Sequence, residues 1–358
     1  MPDSEAFTVS SCSNFLVSDH SDPIRTGLLL QIDLAHVEWS RKLASRPVKK
    51  QTRIEHSGIE KGVGRDIIRE LAGKNYHLAR MYLTWGYLLA GFRGDNPVVV
   101  YQMGKVGSST VVASLQSLDL KRPIYHVHTL IFERIRDRRQ KYERMFRSGA
   151  PMELRRASHL FASQYLSKRV KRGAFKQRWK VISLVRDPIA MNVSGFFQII
   201  DYYIPRFFSR FEAGQIRIED TIEIFLKDYD HDKPLVWFDI ELKSTFGIDV
   251  FASPFLASKG YAIYRGANVD ALVLKLESIN ASAEPAVKEF LGIENFRLVQ
   301  ANVAEDKSYF AAYKSFKDML TLPQAYLDKM YDSKLARHFY TEEELARFRG
   351  KWGTRNIT

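Results

Sequence analysis

Cysteine is nearly missing: Cys12 stands alone among 358 residues. That excludes an intrachain disulfide and any cysteine-rich metal centre, and it fits a reducing compartment. Long apolar runs are missing as well. The longest candidate, Met81 to Phe92, is interrupted by Thr84, Trp85, Gly86 and Gly91 and is too short to cross a bilayer. The first residues carry Asp3 and Glu5 rather than a basic stretch followed by an apolar one. From these absences we expect a cytoplasmic protein. Acids are absent between Lys168 and Lys180, where Lys and Arg number seven. Such a run can track a polyanion, although a solvated helix face is its more usual outcome. No recognisable nucleic-acid motif accompanies it, so no nucleic-acid partner is expected.

With 45% hydrophobic and 27% charged residues, the composition is that of a globular protein. The net charge of +13 favours anionic partners such as phosphates, acidic glycans, nucleic acid or a membrane surface, without choosing among them. The length suits one elaborated α/β domain with an N-terminal extension. Residues 1–25 are polar and Ser-rich and are expected to be disordered. Residues 26–95 read as a helical extension, with stripes at Ile67, Leu71, Leu78, Met81 and Tyr82. Residues 96–358 form the α/β domain, and its chemistry is concentrated at three places.

The first is Asn96 to Leu118. Pro97 to Tyr101 predicts a strand, Gly104-Lys105-Val106-Gly107-Ser108-Ser109-Thr110 a loop, and Val112, Leu115 and Leu118 a helix. A glycine turn feeding a helix start offers unpaired N–H groups and a positive dipole end to a phosphate. The hydroxyls of Ser108, Ser109 and Thr110 and the charge of Lys105 add to that cradle. It is not a Walker A motif, because the lysine precedes the second glycine rather than following it.

The second is Lys180 to Val185, a strand of buried type, followed by Arg186-Asp187-Pro188 and a helix. Arg186 falls at the strand end, where open α/β sheets place ligands, and its forked guanidinium suits a phosphate monoester. Ser194 lies eight positions later, about two turns into the helix. The third is Pro123 to His128, a strand with Tyr125 and Val127 on one face and His126 and His128 on the other. No second cluster of metal-like spacing accompanies the histidines in the sequence, so no metal is expected. Ala271 to Ile279 predicts another buried strand, ending in Glu277. Trp237 to Asp249, Trp352 and the aromatics from Phe196 to Phe211 read as core or groove wall. Thr341 to Glu344 carries a capping-box pattern.

The displaced lysine at 104–110, followed in order by Arg186, Pro188 and Ser194, resembles the two nucleotide sites of sulfotransferases dependent on 3′-phosphoadenosine 5′-phosphosulfate (PAPS). The resemblance spans roughly residues 96–345. Within that family the chain is similar to bacterial capsular polysaccharide synthesis proteins, and His126-Val127-His128 is similar to the paired histidines of uronyl 2-O-sulfotransferases.

The resemblance implies a P-loop NTPase-like three-layer fold with a central, mostly parallel sheet. It also implies transfer of a sulfuryl group to a hydroxyl of a glycan or other cell-surface acceptor. Lys105, Val106, Gly107, Ser108, Ser109 and Thr110 would hold the 5′-phosphosulfate, and Arg186 and Ser194 the 3′-phosphate. His128 would be the base, with His126 as the other candidate, and Lys105 would stabilise charge on the bridging oxygen. Glu277 would be structural, and Asn302, Lys307, Tyr309, Tyr313 and Lys314 fall where the family closes a loop over the nucleotide. Two other classes stay open: an ATP-dependent phosphotransferase, whose lysine position is absent, and a non-enzymatic polyanion-binding module.

Overall fold

The computed structural model describes residues 97–353, apart from 119, 121, 148–153, 174–177 and 300–309, together with residues 77, 78, 80–82, 84 and 85. The expected disordered segment 1–25, Cys12, most of the 26–95 extension, Asn302, Lys307 and Tyr309 lie outside the described residues. The described residues between 77 and 85 are helical, as the apolar stripes predict.

Five strands form one sheet in the order β2-β1-β3-β5-β4. They are β1 (Val98–Tyr101), β2 (Ile124–Val127), β3 (Trp179–Val185), β4 (Tyr261–Arg265) and β5 (Val269–Lys275). All neighbours pair parallel except β4, which runs antiparallel to β5. The three interior strands are covered on both faces, which is why β1, β3 and β5 read as continuous apolar runs. Edge strand β2 alternates instead, burying Tyr125 and Val127 and leaving His126 half-buried. The other edge, β4, was not foreseen; its two buried tyrosines, Tyr261 and Tyr264, are three residues apart and give no alternation to announce a strand. β5 also ends earlier than expected, at Lys275, and Glu277 sits in a tight turn over Leu276–Ser278.

Helix α1 (Ser108–Gln116) links β1 to β2, and α2 (Phe132–Arg147) and α3 (Leu154–Lys171) link β2 to β3. α4 (Pro188–Gln198) leaves the end of β3, and α5 (Ile218–Asp228) precedes a helical segment, Lys233–Trp237, that widens to a π-helix over Phe238–Lys243. α6 (Ile279–Leu291) packs on β5. α7 (Phe310–Met319), α8 (Gln324–Tyr331), α9 (Lys334–Phe339) and α10 (Glu342–Trp352) close the domain. The aromatic stretch resolves as core: Phe196, Phe197, Phe207, Phe225 and Phe316 are buried together in edge contacts.

The predicted capping box is formed. Thr341 Oγ1 accepts from the Glu344 N–H at 3.2 Å, and the Glu344 carboxylate accepts from the Thr341 N–H at 3.0 Å. The same carboxylate accepts from the buried Lys275 ammonium at 2.8 Å, tying α10 to the end of β5. Strand order sets where a ligand can enter. From β1 the chain winds to β2 on one side, then returns to β3 on the other, so a crevice opens outside the carboxyl ends of β1 and β3.

Candidate functional site

The 104–107 loop leaves the carboxyl end of β1 through two left-handed residues, Lys105 at φ +69° and Gly107 at φ +79°. A lysine in that region is strained, which marks the loop as held by its surroundings. Gly107 is the N-cap of α1, and no side chain caps that helix start, so its N–H groups and positive dipole end are not offset by an acid. A Cβ at Gly107 would lie 2.5 Å from Leu276 Cδ1, whereas one at Gly104 would meet nothing within 4 Å. Gly107 is therefore fixed chiefly by backbone sign, since the Leu276 methyl can move aside, and Gly104 borders open space.

At the carboxyl end of neighbouring β3, Arg186 Nη1 donates to the Lys105 carbonyl at 2.8 Å. The two motifs, far apart in sequence, share one crevice. Only one of the guanidinium's five donors is used in this bond. Lys351 of α10 lies within electrostatic range of the arginine: burial lowers its pKa, Asp187 opposes that, and the Lys317 and Arg186 charges add to it. Ser194 lies half-buried on α4. Asp187 serves the fold. It caps α4 by accepting from the Ile189 N–H at 3.0 Å, and it accepts from Tyr331 Oη and Trp352 Nε1, each at 3.0 Å. Its own N–H donates to Glu277 at 2.8 Å, and Tyr340 donates to the other oxygen at 3.1 Å. Burial raises the Glu277 pKa, and both partners confirm its structural place.

Beside the loop lie the histidines. Gln102, the first residue after β1, donates from Nε2 to Ser108 Oγ at 2.7 Å and to His126 Nε2 at 2.9 Å. Ser108 Oγ is 3.0 Å from the same nitrogen. Of the predicted hydroxyls, Ser108 is thus buried in the histidine network, while Ser109 and Thr110 are half-buried and Val106 is fully buried. His128 Nδ1 donates to the Gln102 carbonyl at 3.1 Å. A third imidazole, His159 of α3, stands 4.4 Å from the His126 ring and 4.8 Å from that of His128. The isolated His-x-His reading is corrected here, because β2 and α3 pack together and bring in a residue that nothing in the sequence marked.

His128 is pushed down to about 3, first by desolvation and then by the charges of His159, Arg138 and Lys233. Arg138 and Lys233 are themselves lowered, burial first, and each repels the other or Arg134. Both keep solvent-exposed surface and are not core groups. The opposite charge near both is Glu241, a fully buried carboxylate on the π-helix that accepts from Arg134 at 2.9 Å, the Leu130 N–H at 3.3 Å and the Tyr101 hydroxyl.

Other candidates are spent on structure. Tyr313 packs edge-on against Phe197 at 5.2 Å, and Lys314 pairs with Asp318 at 3.0 Å. In the basic run, Arg178 and Lys180 pair with buried Asp270 at 3.0 and 2.9 Å, and Arg169 lies over the Tyr165 and Trp179 rings. Lys168, Lys171 and Arg172 stay exposed, and Lys176 lies outside the described residues.

A family model described as "Putative capsular polysaccharide synthesis protein" matches residues 215–341. The match takes in Lys233, Glu241, β4, β5 and Glu277, and begins after the loop and Arg186. No curated protein and no solved structure matches the chain.

Proposed function

We propose that this protein is a sulfotransferase with a P-loop NTPase-like core, moving a sulfuryl group from PAPS to a hydroxyl of an acidic glycan. One observation carries the reading: the uncapped loop after β1 and the arginine after β3 meet across the topological switch point of the sheet. Open space beside Gly104, a positive helix start and a largely uncommitted guanidinium suit a nucleotide that carries phosphate at both ends. The matched family's description supports a glycan acceptor.

In this reading Arg186 and Ser194 hold the 3′-phosphate, with Lys351 adding charge. The 104–110 backbone and Lys105 hold the 5′ end. The acceptor oxygen forms a bond to sulfur as the bond from sulfur to the 5′-phosphate oxygen breaks, and Lys105 stabilises the charge left on that oxygen. His128 takes the acceptor proton, and His126, held by Gln102 and Ser108, orients the strand beside it.

A base at about 3 is weak at rest. An acidic acceptor set against Arg138 and Lys233 would offset the smaller part of that depression, while burial, its first cause, and His159 would remain. Neutral glycans would not do so.

The test is a calorimetric titration with adenosine 3′,5′-bisphosphate beside ATP with magnesium. We expect binding of the first alone. Response to ATP alone would make the protein a phosphotransferase, and response to neither would leave a glycan-binding module.

A further inference from the structure

We propose that His126, His128 and His159 form a binding site for a transition-metal dication of the zinc class. Their potential ligand nitrogens all lie within 4.8 Å of one another, and the ring centres are 4.4 to 5.0 Å apart. β2 supplies His126, the bend just after it supplies His128, and α3, which packs on β2, supplies His159.

The hydrogen bonds around the rings decide which nitrogens are available. A carbonyl oxygen can only accept, so Nδ1 carries the hydrogen in His159, bonded to the His126 carbonyl at 3.0 Å, and in His128, bonded to the Gln102 carbonyl at 3.1 Å. Each Nε2 is then the lone-pair nitrogen. A ligand imidazole pinned through its other nitrogen to a backbone carbonyl is the usual arrangement around a bound metal. Gln102 Nε2 stands 2.9 Å from His126 Nε2 and 3.2 Å from His128 Nδ1, and a neutral His126 keeps one lone-pair nitrogen whichever of its two nitrogens carries the hydrogen.

Three imidazoles with Ser108 Oγ or a water in the fourth position make a tetrahedral nitrogen-rich site. Closing to metal–nitrogen bonds of about 2.0–2.1 Å needs roughly an ångström of inward rotation of the half-buried rings. No carboxylate belongs to the cluster, and Arg138 and Lys233 stand nearby. Hard ions such as magnesium, which bind through charge and oxygen, are disfavoured there, while borderline ions bound through nitrogen are tolerated.

The inference rests on the geometry of the rings and stands apart from the transfer reading. If both hold, they compete, since a metal on His128 occupies the lone pair a base needs. Zinc would then be an inhibitor of transfer.

The full chain, freed of metal with EDTA, is titrated with zinc chloride by calorimetry. We expect one zinc per chain, no heat with magnesium chloride, and at least a tenfold loss of zinc affinity in His159→Ala. Replacement of His159 by cysteine (H159C) supplies a ligand of another kind. Its cobalt complex should gain a sulfur-to-metal absorption band that the wild type lacks, a signal that a merely structural histidine would not produce. Zinc uptake that is absent, or unchanged in His159→Ala with no new band in His159→Cys, overturns the proposal.

Discussion

The guanidinium of Arg186 reaches back 81 residues to hold the carbonyl of Lys105 at 2.8 Å. That carbonyl belongs to a residue kept at positive φ, so the arginine fixes the loop as well as facing the crevice. The two duties separate by ligand. Arg186→Ala is expected to weaken adenosine 3′,5′-bisphosphate by tenfold or more, and adenosine 5′-monophosphate much less, because loss of a charge-assisted contact costs about 1.5–3 kcal/mol. Paired calorimetric titrations check this. Equal weakening of both nucleotides would leave the arginine as a loop clamp only.

The two loop glycines should separate in the same way. Gly107→Ala adds a left-handed alanine and a contact with Leu276, and is expected to destabilise the fold by about 1–3 kcal/mol in urea. Adding Leu276→Ala should relieve the contact but leave the backbone strain. Gly104→Ala meets only open space, so stability should hold within about 0.5 kcal/mol while nucleotide affinity falls. Unchanged affinity would show that no ligand occupies that space.

The parts of this site that were legible in the sequence are those carried by local pattern. Continuous apolar runs marked β1, β3 and β5, a lysine ahead of Gly107 marked the loop, and a Thr341-to-Glu344 spacing marked the start of α10. What was not legible comes from packing between distant elements. His159 joins His126 and His128 only because α3 lies on β2, and Lys351 feels the Arg186 charge only because its neighbour Trp352 bonds Asp187 just after β3. Arg138 and Lys233 look like ordinary surface cations until the fold sets both near His128. Asp187 is a like case: nothing in the Arg-Asp-Pro run told that its oxygens would serve Tyr331 and Trp352.

That role gives a stability prediction. Asp187→Ala leaves Tyr331, Trp352 and the start of α4 without their acceptor inside the protein, and is expected to cost about 3 kcal/mol or more in urea unfolding. Asp187→Asn, which keeps one acceptor oxygen, should cost less. Loss below about 1 kcal/mol for Asp187→Ala would mean that water replaces the carboxylate easily.

His128 ties stability to pH. In the folded protein its pKa is pushed down to about 3 from the ordinary 6.5, by desolvation first and then by neighbouring positive charge. Between those values the unfolded chain takes up a proton that the folded chain refuses, so folding weakens as pH falls through that window. Above 6.5 neither state holds the proton and the contribution is constant. His128→Asn removes the linkage. Thermal melts at pH 7 and pH 4.5, test values of roughly that window's upper half, should show a larger acid-induced drop for wild type than for the variant. Equal drops would place the proton uptake on other groups, and would mean that His128 is protonated in the folded protein at mildly acidic pH, where it could not serve as a base.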